Sequence, residues 1–108
     1  MPLQTAVLQG GATLGTPSAP LYTVPTGKSA WVKRAVFANT GSGAAVLTVT
    51  VTRAGGAALT IIPGRSIAAG ATDLAPELVS LALASGDAVS VSATVAGVVT
   101  AFLSGLTA

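Results

Sequence analysis

The sequence predicts an all-β domain, an antiparallel β-sandwich or jelly-roll-like fold of seven to nine short strands. Three observations predict it. Apolar and hydroxyl residues alternate over Val46–Thr52 and again over Ala88–Val95, the period of a strand with one dry and one wet face. Clusters of Gly, Pro, Asn and Ser interrupt the chain too often for helices of ordinary length. Between them Val and Thr, which fit a pleated half-buried surface, recur in most segments. A small closed barrel is the other architecture compatible with this pattern. At 108 residues the chain makes a single domain.

Residues 1–19 read as an uncharged N-terminal arm or lead-in, with Gly10-Gly11, Gly15 and Pro17. Thr5–Leu8 has the composition of a short edge strand. The segment as a whole is expected to order against a neighbour and to be removable without loss of the fold. Residues 20–108 hold the sandwich. Leu21–Val24 is a strand that reverses at Pro25-Thr26-Gly27-Lys28 into Ala30–Ala38, forming a hairpin, because Pro25 presets φ and Gly27 accepts a positive one. One face of Ala30–Ala38 carries Trp31, Lys33, Ala35 and Phe37; the other carries Ala30, Val32, Arg34, Val36 and Ala38. Both faces are mostly apolar and each holds one cation. Both are therefore expected to be covered, one by a second sheet and one by another subunit.

Asn39-Thr40-Gly41-Ser42-Gly43 is a loop. Val46–Arg53 points Leu47, Val49 and Val51 one way and Thr48, Thr50 and Thr52 the other. Ala54-Gly55-Gly56-Ala57 has the form of a tight hairpin connection, and Ala58–Ile62 returns as a strand ended by Pro63-Gly64. Pro76 and Glu77 give Leu78–Leu83 a helix-start signal, but so short a run before Ser85-Gly86-Asp87 fits a strand better. Ala88–Val95 and Val98–Leu103, on either side of Ala96-Gly97, complete the set.

Charged residues make up 7% of the chain and hydrophobic ones 51%, against roughly 25% charged in an ordinary soluble protein. Either Ser, Thr and Gly solvate the surface or partner subunits cover much of it, and a mixture of the two is the preferred reading. All five cations (Lys28, Lys33, Arg34, Arg53, Arg65) precede residue 66, and the three acids (Asp73, Glu77, Asp87) follow it. Scattered cations do not make the dense basic patch of a nucleic-acid binder, so no nucleic-acid partner is expected. Without His or Cys, and with Asp73 and Glu77 about 13 Å apart on a strand, the chain lacks the groups of acid–base, thiolate or metal chemistry. No enzymatic activity, cofactor or metal is expected. The glycine-rich pieces are not followed by the Lys-Ser/Thr of a phosphate loop. Met1-Pro2-Leu3-Gln4 has no basic n-region, so no secretory signal is expected. Residues 88–108 are uncharged over a length that would span a bilayer, yet their Ser/Thr alternation, Gly97 and Gly105 read as strands. No membrane association is expected.

Contact residues are the remaining candidates. Tyr22, Trp31, Lys33, Arg34 and Phe37 hold most of the aromatic and basic character of the chain within one stretch. Trp31 suits either a sandwich core or an interface hot spot, and the core is the preferred reading. Lys33 and Arg34 would meet acidic groups of a partner.

The run Leu21–Ala30 (Leu-Tyr-Thr-Val-Pro-Thr-Gly-Lys-Ser-Ala), the basic strand Trp31–Phe37, the loop Asn39–Ser42, the Thr/Val strand Val46–Thr52 and the segment Gly86–Ala93 together resemble a class of small bacteriophage virion proteins. The resemblance covers residues 20–104, and its motifs are turns and strands. Pro25-Thr26-Gly27 stands where the class more often has Pro-Ala-Gly. The resemblance implies a virion structural protein, in form a capsid decoration (cement) protein. Such a protein binds the major capsid protein on the capsid surface as a homo-oligomer, commonly a trimer. A tail, baseplate or fibre component that attaches to the host is the alternative it implies.

Overall fold

The computed structural model describes residues 4–56 and 58–108. Among the described residues nine strands form: β1 (Gln4–Thr13), β2 (Ala19–Thr23), β3 (Ala30–Asn39), β4 (Ala45–Thr52), β5 (Ala58–Ile67), β6 (Thr72–Asp73), β7 (Leu81–Leu83), β8 (Ala88–Ala93) and β9 (Val99–Thr107). They make two antiparallel sheets. One is ordered β1-β9-β3-β6, with β7 also paired to β3, and the other β2-β8-β4-β5. Because β6 and β7 share one place beside β3, eight positions are filled in the order of the two Greek keys of a jelly roll.

The alternation seen in the sequence is what packs the sheets. β4 buries Ala45, Leu47, Val49 and Val51, β8 buries Val89, Val91 and Ala93, and β9 buries Val99, Ala101 and Leu103. Polar contacts close both open sides of the sandwich. On one side the Gln9 side-chain amide donates to Leu21 O at 3.0 Å, joining β1 to β2. On the other, Arg65 on β5 reaches Asp73 on β6 and Glu77 in a 3-10 turn.

Four expectations are corrected. The turn at Pro25–Lys28 does form, with Lys28 N–H donating to Pro25 O at 3.1 Å and Gly27 at φ 80. Its flanking strands are not a hairpin, however: β2 pairs with β8 and β3 with β9, so the turn carries the chain from one sheet to the other. Ala30–Ala38 does not keep one parity either. A bulge between Val32 and Arg34 sends Ala30 and Val32, then Ala35 and Phe37, inward, and leaves both Lys33 and Arg34 on the solvent side. A strictly alternating strand would have buried one unpaired cation, at a cost far above that of one irregular ladder step.

The expected arm is instead an edge strand. β1 pairs with β9 from Gln4–Thr107 to Thr13–Thr100, and Leu8 and Leu14 lie in the core. Met1-Pro2-Leu3 of that arm, and Ala57 of the expected Ala54–Ala57 turn, lie outside the described residues. Deleting residues 2–19 is therefore expected to abolish cooperative unfolding. Two buried leucines are worth about 1.5–3 kcal/mol each, β9 loses one of its two partners, and a domain of this size holds only about 5–15 kcal/mol in total. Circular dichroism with a thermal melt checks this, and a truncated chain that melts cooperatively would return these residues to the status of an arm.

The last correction concerns strand ends. β5 continues through Pro63-Gly64 to Ile67, because β5 is an edge strand whose free side needs no N–H from proline. Leu78–Leu83 splits into the 3-10 turn Pro76–Leu78 and the short β7.

Candidate functional site

The outer faces of the two sheets differ in chemistry. On the β2-β8-β4-β5 sheet, hydroxyls dominate: Thr48 stands opposite Ser92, and Thr50 between Ser90 and Thr60. The single threonine row of the sequence thus continues across neighbouring strands. On the β1-β9-β3 sheet the outward apolar residues Val7, Trp31, Val36, Phe102 and Leu106 stand among Thr100, Ser104, Lys33 and Arg34, while the other sheet exposes Val46 and Leu59 besides its hydroxyls. Val7 is 76% and Phe102 42% exposed. Val36 stands opposite Phe102, and Trp31 opposite Leu106 on one side and Ala82 on the other. The Phe102 ring reaches over β1, where a Cβ on Gly11 would come within 3.1 Å of it.

The candidate contact residues separate into three places. Trp31, Lys33 and Arg34 share this outer face, with Trp31 half-buried beside Leu106 rather than in the core as preferred above. Phe37 is 0% exposed and fills the sandwich interior, so it is the core aromatic and leaves the contact set. Tyr22 sits on the opposite sheet, half-buried against the core, and burial raises its hydroxyl pKa. Phe102, Val7 and Leu106 were missed. The signal for Phe102 was present, since strict alternation from buried Val99, Ala101 and Leu103 sets it in the outward row with Thr100 and Ser104.

Between β1, β9 and β3 this face has an open depression of about 500 Å³ lined by Thr5, Ala6, Val7, Lys33, Ser104, Gly105 and Leu106. Its floor is the backbone at Ala6 and Gly105, which alternate with outward Thr5, Val7, Ser104 and Leu106 and turn toward the sandwich interior. Gly105 has no alternative: a Cβ there would overlap the Trp31 carbonyl oxygen and lie 3.1 Å from Lys33 N. The bulge, the glycine and the depression are one feature.

The charges are sorted. Asp87 pairs with Arg53 at 2.6 Å, and Asp73 and Glu77 with Arg65. Among the described residues Lys28, Lys33 and Arg34 make no ion pair, so the uncompensated positive charge lies at the β2–β3 turn and along β3. Also among the described residues, no three acids, histidines or cysteines come together as metal ligands, and no helix is long and apolar enough to cross a membrane. The arrangement sets cations unpaired among the described residues, with apolar side chains, on one sheet and hydroxyls on the other.

The fold and this face define a jelly-roll sandwich with one apolar, cationic side and one hydroxyl side. Comparison with protein-family models, curated proteins and solved structures finds no match.

Proposed function

We propose that this chain is a non-enzymatic structural protein of a bacteriophage virion, acting as a capsid decoration protein. It binds the lattice of major capsid protein subunits as a homo-oligomer and stabilises the head. The observation that carries the reading is the two-sided chemistry of the sandwich, joined to the resemblance of residues 20–104 to small virion proteins. An apolar, cationic face suits a protein seam, and the hydroxyl face suits the solvent above it.

The dimensions support it. The molecule measures 44 × 27 × 19 Å, so its broad face exceeds the roughly 800 Å² per partner of a standard interface. A plate of this kind laid across the junction of two capsid subunits would bury apolar area on both. Separating the subunits then requires breaking contacts with the plate as well, and many copies share the load from packaged DNA. Commitment of all three acids to arginines supports a structural rather than catalytic use of the chain's few charges.

A tail or fibre protein binding host glycans is the second reading, favoured by exposed Phe102 and half-buried Trp31 on one outer face. The half-buried aromatics Tyr22 and Trp31 lie on different sheets and cannot line one glycan groove together, which counts against it. Fractionating purified particles into heads and tails, with mass spectrometry for this chain, tests the proposal. Recovery with heads at copy numbers near that of the capsid protein is the expected result. A few copies with tails would favour the second reading, and absence from both would overturn the virion assignment.

A further inference from the structure

We propose that the outer face of the β1-β9-β3 sheet docks an acidic protein segment, one carboxylate of which enters the depression over Gly105 beside Lys33. This names the partner chemistry of the contact face and rests on the reading of that face given above.

Charge complementarity selects the occupant. Lys33 and Arg34 project from the bulge onto this face with no ion-pair partner among the described residues. The depression is lined, besides Lys33, by Val7 and Leu106 and by the hydroxyl residues Thr5 and Ser104. A side chain with an apolar stem and an anionic tip matches this lining: the stem lies against Val7 and Leu106, and the tip takes a charge-assisted hydrogen bond from the Lys33 ammonium. Asp or Glu on an extended segment has that form, and the apolar patch of Trp31, Val36 and Phe102 covers the neighbouring residues of the segment.

A second copy of this chain presenting the same face is disfavoured. An isologous contact would set Lys33 and Arg34 of both copies on one seam that contains no acid. The chain's own carboxylates are also committed elsewhere: Asp87 and Asp73 are largely buried and all three are held by arginines. Nucleic acid would need a longer cationic track than two residues set among apolar ones.

The test uses the full ¹⁵N-labelled chain and two capped peptides, acetyl-Val-Glu-Val-Glu-Val-amide and its Gln counterpart, followed by NMR. The expected result is saturable shifts of the Thr5–Val7, Lys33 and Ser104–Leu106 amides with the Glu peptide. Binding is expected to weaken about tenfold with the Gln peptide, and about tenfold for Lys33→Gln, the value of one charge-assisted contact. Lys33 is exposed, so an unchanged spectrum of the free variant verifies its fold. Absence of shifts, equal binding of both peptides, or equal binding by Lys33→Gln would each overturn the proposal. The outcome separates from the particle fractionation. A chain found on heads that ignores the Glu peptide keeps its virion role and loses the acidic partner, whereas a chain found in neither fraction that binds the peptide keeps the docking face alone.

Discussion

Gly105→Ala is expected to destabilise the domain by about 3 kcal/mol or more, at the upper end of what inserting one carbon into a packed site costs. The reason is the identity of the obstructing atoms. A methyl group on Gly105 would overlap the Trp31 carbonyl oxygen and lie 2.9 Å from its carbonyl carbon and 3.1 Å from Lys33 N. These are backbone atoms of the central strand β3, so no rotamer change makes room. Relief requires β3 to lose its bulge or β9 to slip, and either move redirects side chains between core and solvent. Losing the bulge restores strict alternation and turns one of Lys33 and Arg34 toward the interior. Gly43→Ala is the control, because a Cβ at Gly43 meets nothing within 4 Å, and it is expected to stay within about 0.5 kcal/mol of the parent. Denaturant titration of both variants measures the difference. Equal midpoints for the two would show that the β9–β3 approach at Gly105 is not tight.

The bulge also marks the limit of what the sequence disclosed. Where alternation was strict, in β4 and β8, it named buried residues correctly (Leu47, Val49, Val51, Val89, Val91 and Ala93), but the run read to Val95 ends at Ala93 and Val95 is exposed. Where it failed, in β3, the failure carried information. Two adjacent cations inside an apolar strand cannot both point outward without an extra residue, and reading Lys33-Arg34 that way would have placed Phe37 in the core and Trp31 outside. Which strands pair was not legible, because a tight turn does not say whether its two strands share a sheet. In a jelly roll most connections cross between sheets, so the local signal at Pro25–Lys28 was right and the hairpin drawn from it was not. β1 was hidden for another reason. Gly10 and Gly11 look like a flexible lead-in, whereas here the strand is bulged around them, with register shifts on either side of Gln9, and Gly11 accommodates the Phe102 ring.

Two stretches far apart in the sequence meet at one end of the sandwich. Val24 N–H donates to Asp87 O and Gly86 N–H to Val24 O, while Gly27 N–H donates to the Ser85 hydroxyl. The Leu21–Gly27 and Gly86–Ala93 motifs therefore support one another structurally. Asp87, read from the sequence only as a turn residue, is the centre of this arrangement.

Asp87→Asn is accordingly expected to lower the melting temperature at neutral pH by roughly 10–20 °C, the equivalent of about 3 kcal/mol in a domain of this size. The Asp87 carboxylate is 4% exposed. It accepts Ala84 N–H at 2.9 Å, Ala54 N–H at 2.9 Å and Arg53 Nη1 at 2.6 Å, tying the turn after β4 to the turn before β8. Asn keeps the shape but replaces one acceptor with a donor, which then faces a donor, and it removes the charge that holds Arg53. The hydrogen bonds from Ala84 and Ala54 and the Arg53 guanidinium hold the Asp87 pKa below its ordinary value of 3.8, outweighing the opposing effect of burial. Since the folded pKa is the lower one, this contribution is complete above the unfolded value and is lost as pH falls through the folded value. The gap in melting temperature between parent and variant is thus expected to be full at pH 7 and to close below about pH 4. The comparison isolates Asp87, because every other charged group is common to the two proteins. A gap that persists unchanged at pH 2, or that is missing at pH 7, would mean that the carboxylate is not what joins the two turns.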